Sequence, residues 1–432
     1  MSKEGCVSMK TTMNKFFVRL IPLFLIFLAL IGTMTDFRAQ MLEMTVVTGE
    51  NKDESEEVFD LSAVNVNSNT YIRTSSSRAI TPSNRTAAGT SATVTAPNVY
   101  VKPQPGQPNP VPGLMNPLTG YINPLTGLYM KNDVSKNRPV AVSVSNSQPA
   151  LPSNATNGIS QADIVHEVLV EGGITRFIAL FQDFADVGVV GSIRSARHYT
   201  VELAEAYDAL FIHAGGSPLG FEEIERRNIT NFDEVKGVRS QIFKRDVNRV
   251  PGHTVQNYHS VTTSGASYDR WISTYGLRLT HGGNYNRALN FTGNPIPNGD
   301  RAHNAVVRFS AGKSSTFAYN ETQNLYYMNQ FGSQFRDANN NDPVTFTNLL
   351  ILDMPVADLV GHGEGSGRQH INTVGSGKGY FASGGRYVRI NWYRADKSSQ
   401  FIYTYENGSI IELGVGKTYI GIVPPDMVTS FN

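Results

Sequence analysis

The chain has 432 residues, with 37 Lys+Arg against 36 Asp+Glu for a formal charge of +1, 17% charged residues and one cysteine. That balance argues against nucleic acid, whose phosphates call for a strongly basic face, and a single cysteine excludes an intrachain disulfide or a zinc site built on paired thiolates. The length exceeds a usual domain severalfold, so two folded domains and an extra segment are expected, each domain able to bury a core.

In chain order, Lys10 and Lys15 precede an apolar run from Leu20 to Gly32, and the stretch without charge ends at Thr35. This run is shorter than the ~20 residues that span a bilayer comfortably, so residues 1–39 read as a signal peptide. An uncleaved signal-anchor through residues 16–35 is the alternative, and it would tether the protein to the membrane. The nearest cleavage candidate is Phe37-Arg38-Ala39. Cys6 lies ahead of the apolar core and no cysteine follows it, so cleavage leaves a chain without thiols and excludes thiol catalysis. The protein is therefore expected outside the cytoplasm, secreted or tethered.

Residues 40–114 hold no sustained period. They contain an acidic patch, Glu50 to Glu57, the Ser/Thr-rich Thr74-Ser75-Ser76-Ser77, and the Pro-rich stretch Pro103 to Pro110. Too little apolar surface is present to offset chain entropy, so a disordered or extended spacer is expected. It either carries a folded body into the cell wall or is simply a variable linker. Two copies of a short unit follow, Asn116 to Tyr121 and Asn123 to Leu128, each opening on Asn-Pro and carrying a Gly, which read as a pair of turns.

Residues 115–295 alternate strand and helix signals. Arg138 to Asn146 alternates Val with polar residues and predicts a strand. Ile164 to Glu171 and Thr175 to Phe181 flank Gly172-Gly173 and predict a hairpin. Ser195 to Tyr207 predicts a helix, and Asp208 to His213 a buried strand. Ser217 then fits an N-cap, with Pro218 at the first position of a helix running to Arg227. This half is expected to be an α/β (or α+β) domain. Residues 296–432 carry strand signals alone, at Asn304 to Phe309, Ser315 to Tyr319, Leu325 to Met328, Thr347 to Leu352, Tyr387 to Trp392 and Phe401 to Tyr405, with an Asn407-Gly408 hairpin turn. A smaller all-β C-terminal domain is expected.

Polar groups gather at the ends of apolar elements in the first domain: Glu167 and Glu171 on the hairpin, Arg176 after it, Arg194 and Arg197 before the helix, and His213 to Ser217 closing a strand. Four strings, Gln161 to Glu167, Val170 to Arg176, Gly191 to Arg197 and His213 to Pro218, resemble the YerB-like family of bacterial extracytoplasmic lipoproteins, a family without an established activity. The similarity extends from Asn123 to the C-terminus through Val374 to Gly377, Ile390 to Trp392 and Leu413 to Tyr419. It implies an N-terminal α/β domain followed by a β domain. Arg245, Asp246, Arg249 and His253 match a further family pattern, with Gly252 intruding before His253. The family typically begins with a lipid-modified cysteine that has no counterpart here, and its usual Gly-Pro is Gly191-Ser192.

Two arginines three apart at a helix start would share a face, where guanidinium forks and free amides favour an anion. Arg176, Arg194 and Arg197 are therefore candidate ligand-binding residues, with Ser217, Arg245, Asp246 and His253. A carboxylate or phosphate of a wall polymer, or an envelope protein, is the expected partner. The carboxylates Asp163, Glu167 and Glu171 are equally able to pair with those arginines and only fix the fold. In the competing reading the protein is a hydrolase or transferase acting on envelope polymers, with Glu167 or Glu171 and His213 as acid and base. No His-x-x-x-His spacing joins His213 and His253, so no metal and no cofactor are expected. Gly312-Lys313-Ser314 lacks the earlier glycine of a phosphate loop, since Val307 stands there, and no Gly-x-Ser-x-Gly elbow is placed between strand and helix.

Overall fold

The strands Val140–Asn146 (β1), Ile164–Leu169 (β2) and Thr175–Phe181 (β3) are buried along their whole length. Their alternation feeds two cores at once. Val140, Val142, Val144, Val165, Phe177 and Phe181 enter one, and Ala141, Ile164, Val168, Ile178 and Leu180 enter the other. Such strands belong to the middle of a sheet covered on both faces. β2 and β3 pair antiparallel, with Glu167 opposite Phe177 and Val168 opposite Arg176. Their turn, Glu171–Gly173, holds Gly172 and Gly173 at φ 72 and 69, a conformation that explains the glycine pair.

In a computed structural model of the chain, the described residues are 121–147, 156–237, 242–250, 254–283, 285, 287–293, 298–359, 367–427 and 429–432. The apolar N-terminal segment, the spacer, residues 116–120 and His253 lie outside them.

The helix predicted from Ser195 begins later, as His198–Glu205 (α1). Residues 192–196 are instead tied laterally: Ile193 bridges Val144, the Arg194 amide donates to the Ser143 carbonyl at 2.8 Å, and the Ala196 amide donates to the Gly215 carbonyl at 2.9 Å. Amides engaged across the sheet edge are not available to open a helix. Leu210–His213 (β4) runs parallel to β1. Pro218–Arg226 (α2) follows, capped as expected, with Ser217 Oγ accepting from the Gly220 amide at 3.1 Å. Asn231–Asp233 (β5) runs parallel to β4. Tyr268–Tyr275 (α3) has no counterpart among the sequence expectations; its one buried residue, Trp271, gives too little period to read.

The C-terminal half is built of strands: Asn304–Ser310 (β6), Lys313–Asn320 (β7), Leu325–Gln330 (β8), Asn348–Asp353 (β9), Gly375–Ser383 (β10), Arg386–Arg394 (β11), Ile402–Tyr405 (β12) and Thr418–Val423 (β13). Strands β6 to β8 form the middle of a 6-stranded sheet among the described residues. The others continue the N-terminal half's sheet into an 11-stranded one, ordered Asp300–Arg301, β11, β10, β9, β13, β2, β3, β1, β4, β5, with β12 on β11. β13 joins the halves, lying parallel to β9 on one side and β2 on the other. One face of the large sheet is covered by α1, through Tyr199, Val201 and Leu203. The other packs on the second sheet through Phe309, Phe317 and Tyr326, and on Trp271. β10 carries no strand signal of its own, because Gly375-Ser376-Gly377-Lys378-Gly379 holds no apolar residue to alternate. Here glycine is required by close approach: a Cβ at Gly377 would meet Trp392 Nε1 at 2.6 Å, and one at Gly379 would meet the Ile351 carbonyl at 2.3 Å.

The register relations give β9, β13, β2, β1, β4 and β5 one common direction. Their carboxyl ends line a single edge, the place where open α/β sheets present ligand sites.

Candidate functional site

Side-chain parity separates the sequence candidates before any distance is considered. Glu167 lies opposite Phe177 and faces the second sheet, whereas Arg176 lies opposite Val168 and faces α1. They sit on opposite faces, so Glu167 is not the partner of these arginines. It is fully buried. Its Oε1 accepts from Asn146 Nδ2 at 2.8 Å and Thr175 Oγ1 at 2.6 Å, and its Oε2 accepts from Ser315 Oγ at 2.7 Å and Tyr419 Oη at 2.8 Å. Lys313 Nζ stands 3.2 Å from Oε1 and also donates to Gln330 Oε1. Burial pulls the Lys313 amine below its ordinary value, opposed by the Glu167 charge. Both oxygens of Glu167 are thus engaged between two sheets, where no substrate approaches.

On the α1 face, at the carboxyl edge, the arginines do converge, although Arg194 and Arg197 do not share a helix face because the helix starts only at His198. Arg197 forms a two-pronged pair with Glu171, Nε to Oε1 at 2.5 Å and Nη2 to Oε2 at 2.8 Å. Arg368 Nε stands 3.5 Å from the same Oε1. Burial would raise the Glu171 carboxyl, but the Arg197 hydrogen bonds and charge outweigh it and hold the group below its usual range. Arg176, only 5% exposed, donates through Nη1 to the Ser195 carbonyl and forms no ion pair with a carboxylate among the described residues. Burial, reinforced by the Arg197 charge and opposed by the Glu171 carboxylate, pulls it down to about 9. Arg194 donates to the Tyr258 carbonyl at 2.7 Å, lies over the Tyr258 ring, and is likewise lowered by burial and by Arg197. Arg176 and Arg194 thus form no direct ion pair with a carboxylate among the described residues; the counter-charge both feel is Glu171, which Arg197 already holds. At the α1 N-terminus the Arg197 amide donates to Thr200 Oγ1 at 2.8 Å.

His213 is fully buried, with Nδ1 2.8 Å from the Gly215 carbonyl and Nε2 3.1 Å from Asn231 Oδ1. Both ring nitrogens are engaged, and the ring braces β4, β5 and the Gly215 turn. Ser217 is buried in its capping role. Arg245 forks onto Glu234, Nε to Oε1 at 2.9 Å and Nη2 to Oε2 at 2.7 Å. Asp246 accepts from Lys244 Nζ at 3.1 Å and from the Asn248 amide at 3.0 Å. Among the described residues no group of three or more His, Cys, Asp or Glu side chains is gathered as a metal cage requires.

Sequence reasoning missed Tyr258, Glu234, Lys313 and Arg368. The first sits in the three-residue turn Asn257–His259, too short for any period. Glu234 matters through Arg245, 11 positions on across a turn, and Lys313 and Arg368 through partners far along the chain, Glu167 and Glu171.

Fold and site together define a class: a mixed α/β half joined by a shared sheet to a strand-built half, with arginines gathered about Glu171 at the carboxyl edge. Models of a protein family of unknown function, DUF3048, match both halves, the N-terminal domain model at residues 125–272 and the C-terminal domain model at 305–420. The putative lipoprotein YerB of Bacillus subtilis (strain 168) is 28% identical over 300 residues, 69% of this chain and 84% of the relative. The crystal structure of YerB from Bacillus subtilis matches with a TM-score of 0.60 at 27% identity, covering 72% of this chain and 99% of that one. The chain belongs to the YerB-like family.

Proposed function

We propose that the protein is an extracytoplasmic binding module that holds an anionic group of a wall polymer or envelope protein at Arg176, Arg194 and Arg197. The observation that carries this reading is the gathering of three guanidiniums, Arg176, Arg194 and Arg197, around one carboxylate, Glu171, which Arg197 already holds by two hydrogen bonds. Three like charges around one carboxylate leave an excess of positive charge in a partly buried place, and an incoming carboxylate or phosphate would offset it. Extracytoplasmic placement rests on the apolar N-terminal segment and on the lipoprotein name of the relative. The hydrolase reading finds less support, since Glu167 and His213 are enclosed and Glu171 is held by Arg197.

Calorimetric titration of the purified protein with citrate and with pyrophosphate tests the proposal. Arg194→Gln should weaken binding about tenfold or more, from loss of a charge-assisted contact of about 1.5–3 kcal/mol, with the melting temperature retained. Equal affinity in both proteins, or no binding by the wild type, sinks the reading.

A further inference from the structure

The turn Asn257–His259 is fixed in an unusual way. Its three successive carbonyls each accept from a different arginine: Asn257 from Arg245 Nη1 at 3.1 Å, Tyr258 from Arg194 Nη1 at 2.7 Å, and His259 from Arg249 Nε at 3.3 Å. Ser260 Oγ adds a second bond to the Asn257 carbonyl at 2.6 Å. The turn so immobilised holds out Tyr258, which at 52% is the most exposed of the large apolar side chains among the described residues. Its ring lies 5.3 Å from the Arg194 guanidinium carbon and 4.6 Å from the His259 ring.

Leaving an aromatic ring in water forgoes burial that would favour folding. Fixing its backbone removes the ordering penalty that a partner would otherwise meet on binding. A rigid aromatic face next to an under-compensated guanidinium recognises a molecule that carries a flat apolar face and a negative charge on one short scaffold. A pyranose ring bearing an acid group has that form, since its ring C–H groups make an apolar face and its substituent carries the charge.

We propose that Tyr258 is the ring platform of the arginine site and that the site takes an anionic saccharide. This rests on the anion reading above and adds the ligand class to it.

The test compares N-acetylmuramic acid, which has ring and carboxylate, with lactate, which has the carboxylate alone, and N-acetylglucosamine, which has the ring alone. Binding to the full chain is followed by calorimetry. N-acetylmuramic acid should bind at least tenfold tighter than either fragment. Tyr258→Ala should remove that increment, so that N-acetylmuramic acid and lactate bind the variant alike, and Tyr258→Phe should preserve it. Equal affinity for N-acetylmuramic acid and lactate, or indifference to Tyr258→Ala, overturns the platform while leaving the anion site standing. Tighter binding of adenosine 5′-monophosphate than of the saccharide acid overturns the ligand class. Failure of N-acetylmuramic acid to bind where citrate or pyrophosphate does overturns this inference alone; failure of all the anions overturns the anion reading with it.

Discussion

Glu167 offers the sharpest separation between a structural and a catalytic carboxylate. It accepts from Asn146, Thr175, Ser315 and Tyr419 and balances Lys313, all inside the two-sheet interface. Glu167→Ala leaves a buried ammonium without its counter-ion and four donors without an acceptor. Removing one partner of a buried pair alone destabilises by about 3–5 kcal/mol, and the lost neutral bonds place this variant at the top of that range. Against a total stability of about 5–15 kcal/mol, that is a large share. Glu167→Gln keeps one carbonyl acceptor but loses the charge, so about 2–3 kcal/mol is expected. Adding Lys313→Met should recover part of that loss, because neither charge then remains buried. Urea unfolding followed by circular dichroism reads all of these. With a slope of about 3 kcal/mol/M, the alanine variant should shift the midpoint by more than 1 M. A Glu167→Gln protein with an unchanged midpoint and abolished ligand binding would refute the structural assignment.

Two further outcomes follow from the geometry. His166 is pushed down to about 3 by burial and by the Arg394 charge. His198 is lowered to about 4 by burial, and His259 to about 4 by burial and the Arg194 and Arg249 charges. Between the ordinary value of 6.5 and those folded-state values, the unfolded chain binds protons that the folded chain refuses. Stability should therefore fall as pH drops from about 6.5 towards 4 and rise again with pH through the same window. The melting temperature at pH 5 should lie below that at pH 7.5, with a smaller difference in His166→Gln; a flat profile contradicts the burial argument. Gly377→Ala should displace Trp392, break its 3.1 Å bond to the Asp353 carbonyl and destabilise by about 1–3 kcal/mol. Since the chain has 2 Trp, a shift in emission should accompany the loss, and an unaltered spectrum at wild-type stability counts against the close packing of β10 on β11.

Much of the N-terminal half was legible because its signals are local. The alternation of β1 to β3, the Gly172-Gly173 turn and the Ser217-Pro218 cap each state their conformation within a few residues. β10 was hidden because its glycines serve contacts with Trp392 and Ile351, on neighbouring strands. The place of β13 was hidden because parallel pairing joins it to β2 across most of the folded chain, and composition carries no trace of that register.

The same division applies to the site. Sequence alone determined that charged groups recur at element ends and that Arg176, Arg194 and Arg197 stand in the same stretch of chain. It left open whether those arginines grip a carboxylate of their own domain. Tertiary structure decided it through parity and distance: the hairpin register turns Glu167 away from Arg176, and residues 148 and 252 positions further along, Ser315 and Tyr419, engage its oxygens. Glu171 then remains as the carboxylate that pairs with Arg197. Compensation of a charge depends on what lies within a few ångströms of it in a low-dielectric interior, and only the folded chain sets that neighbourhood.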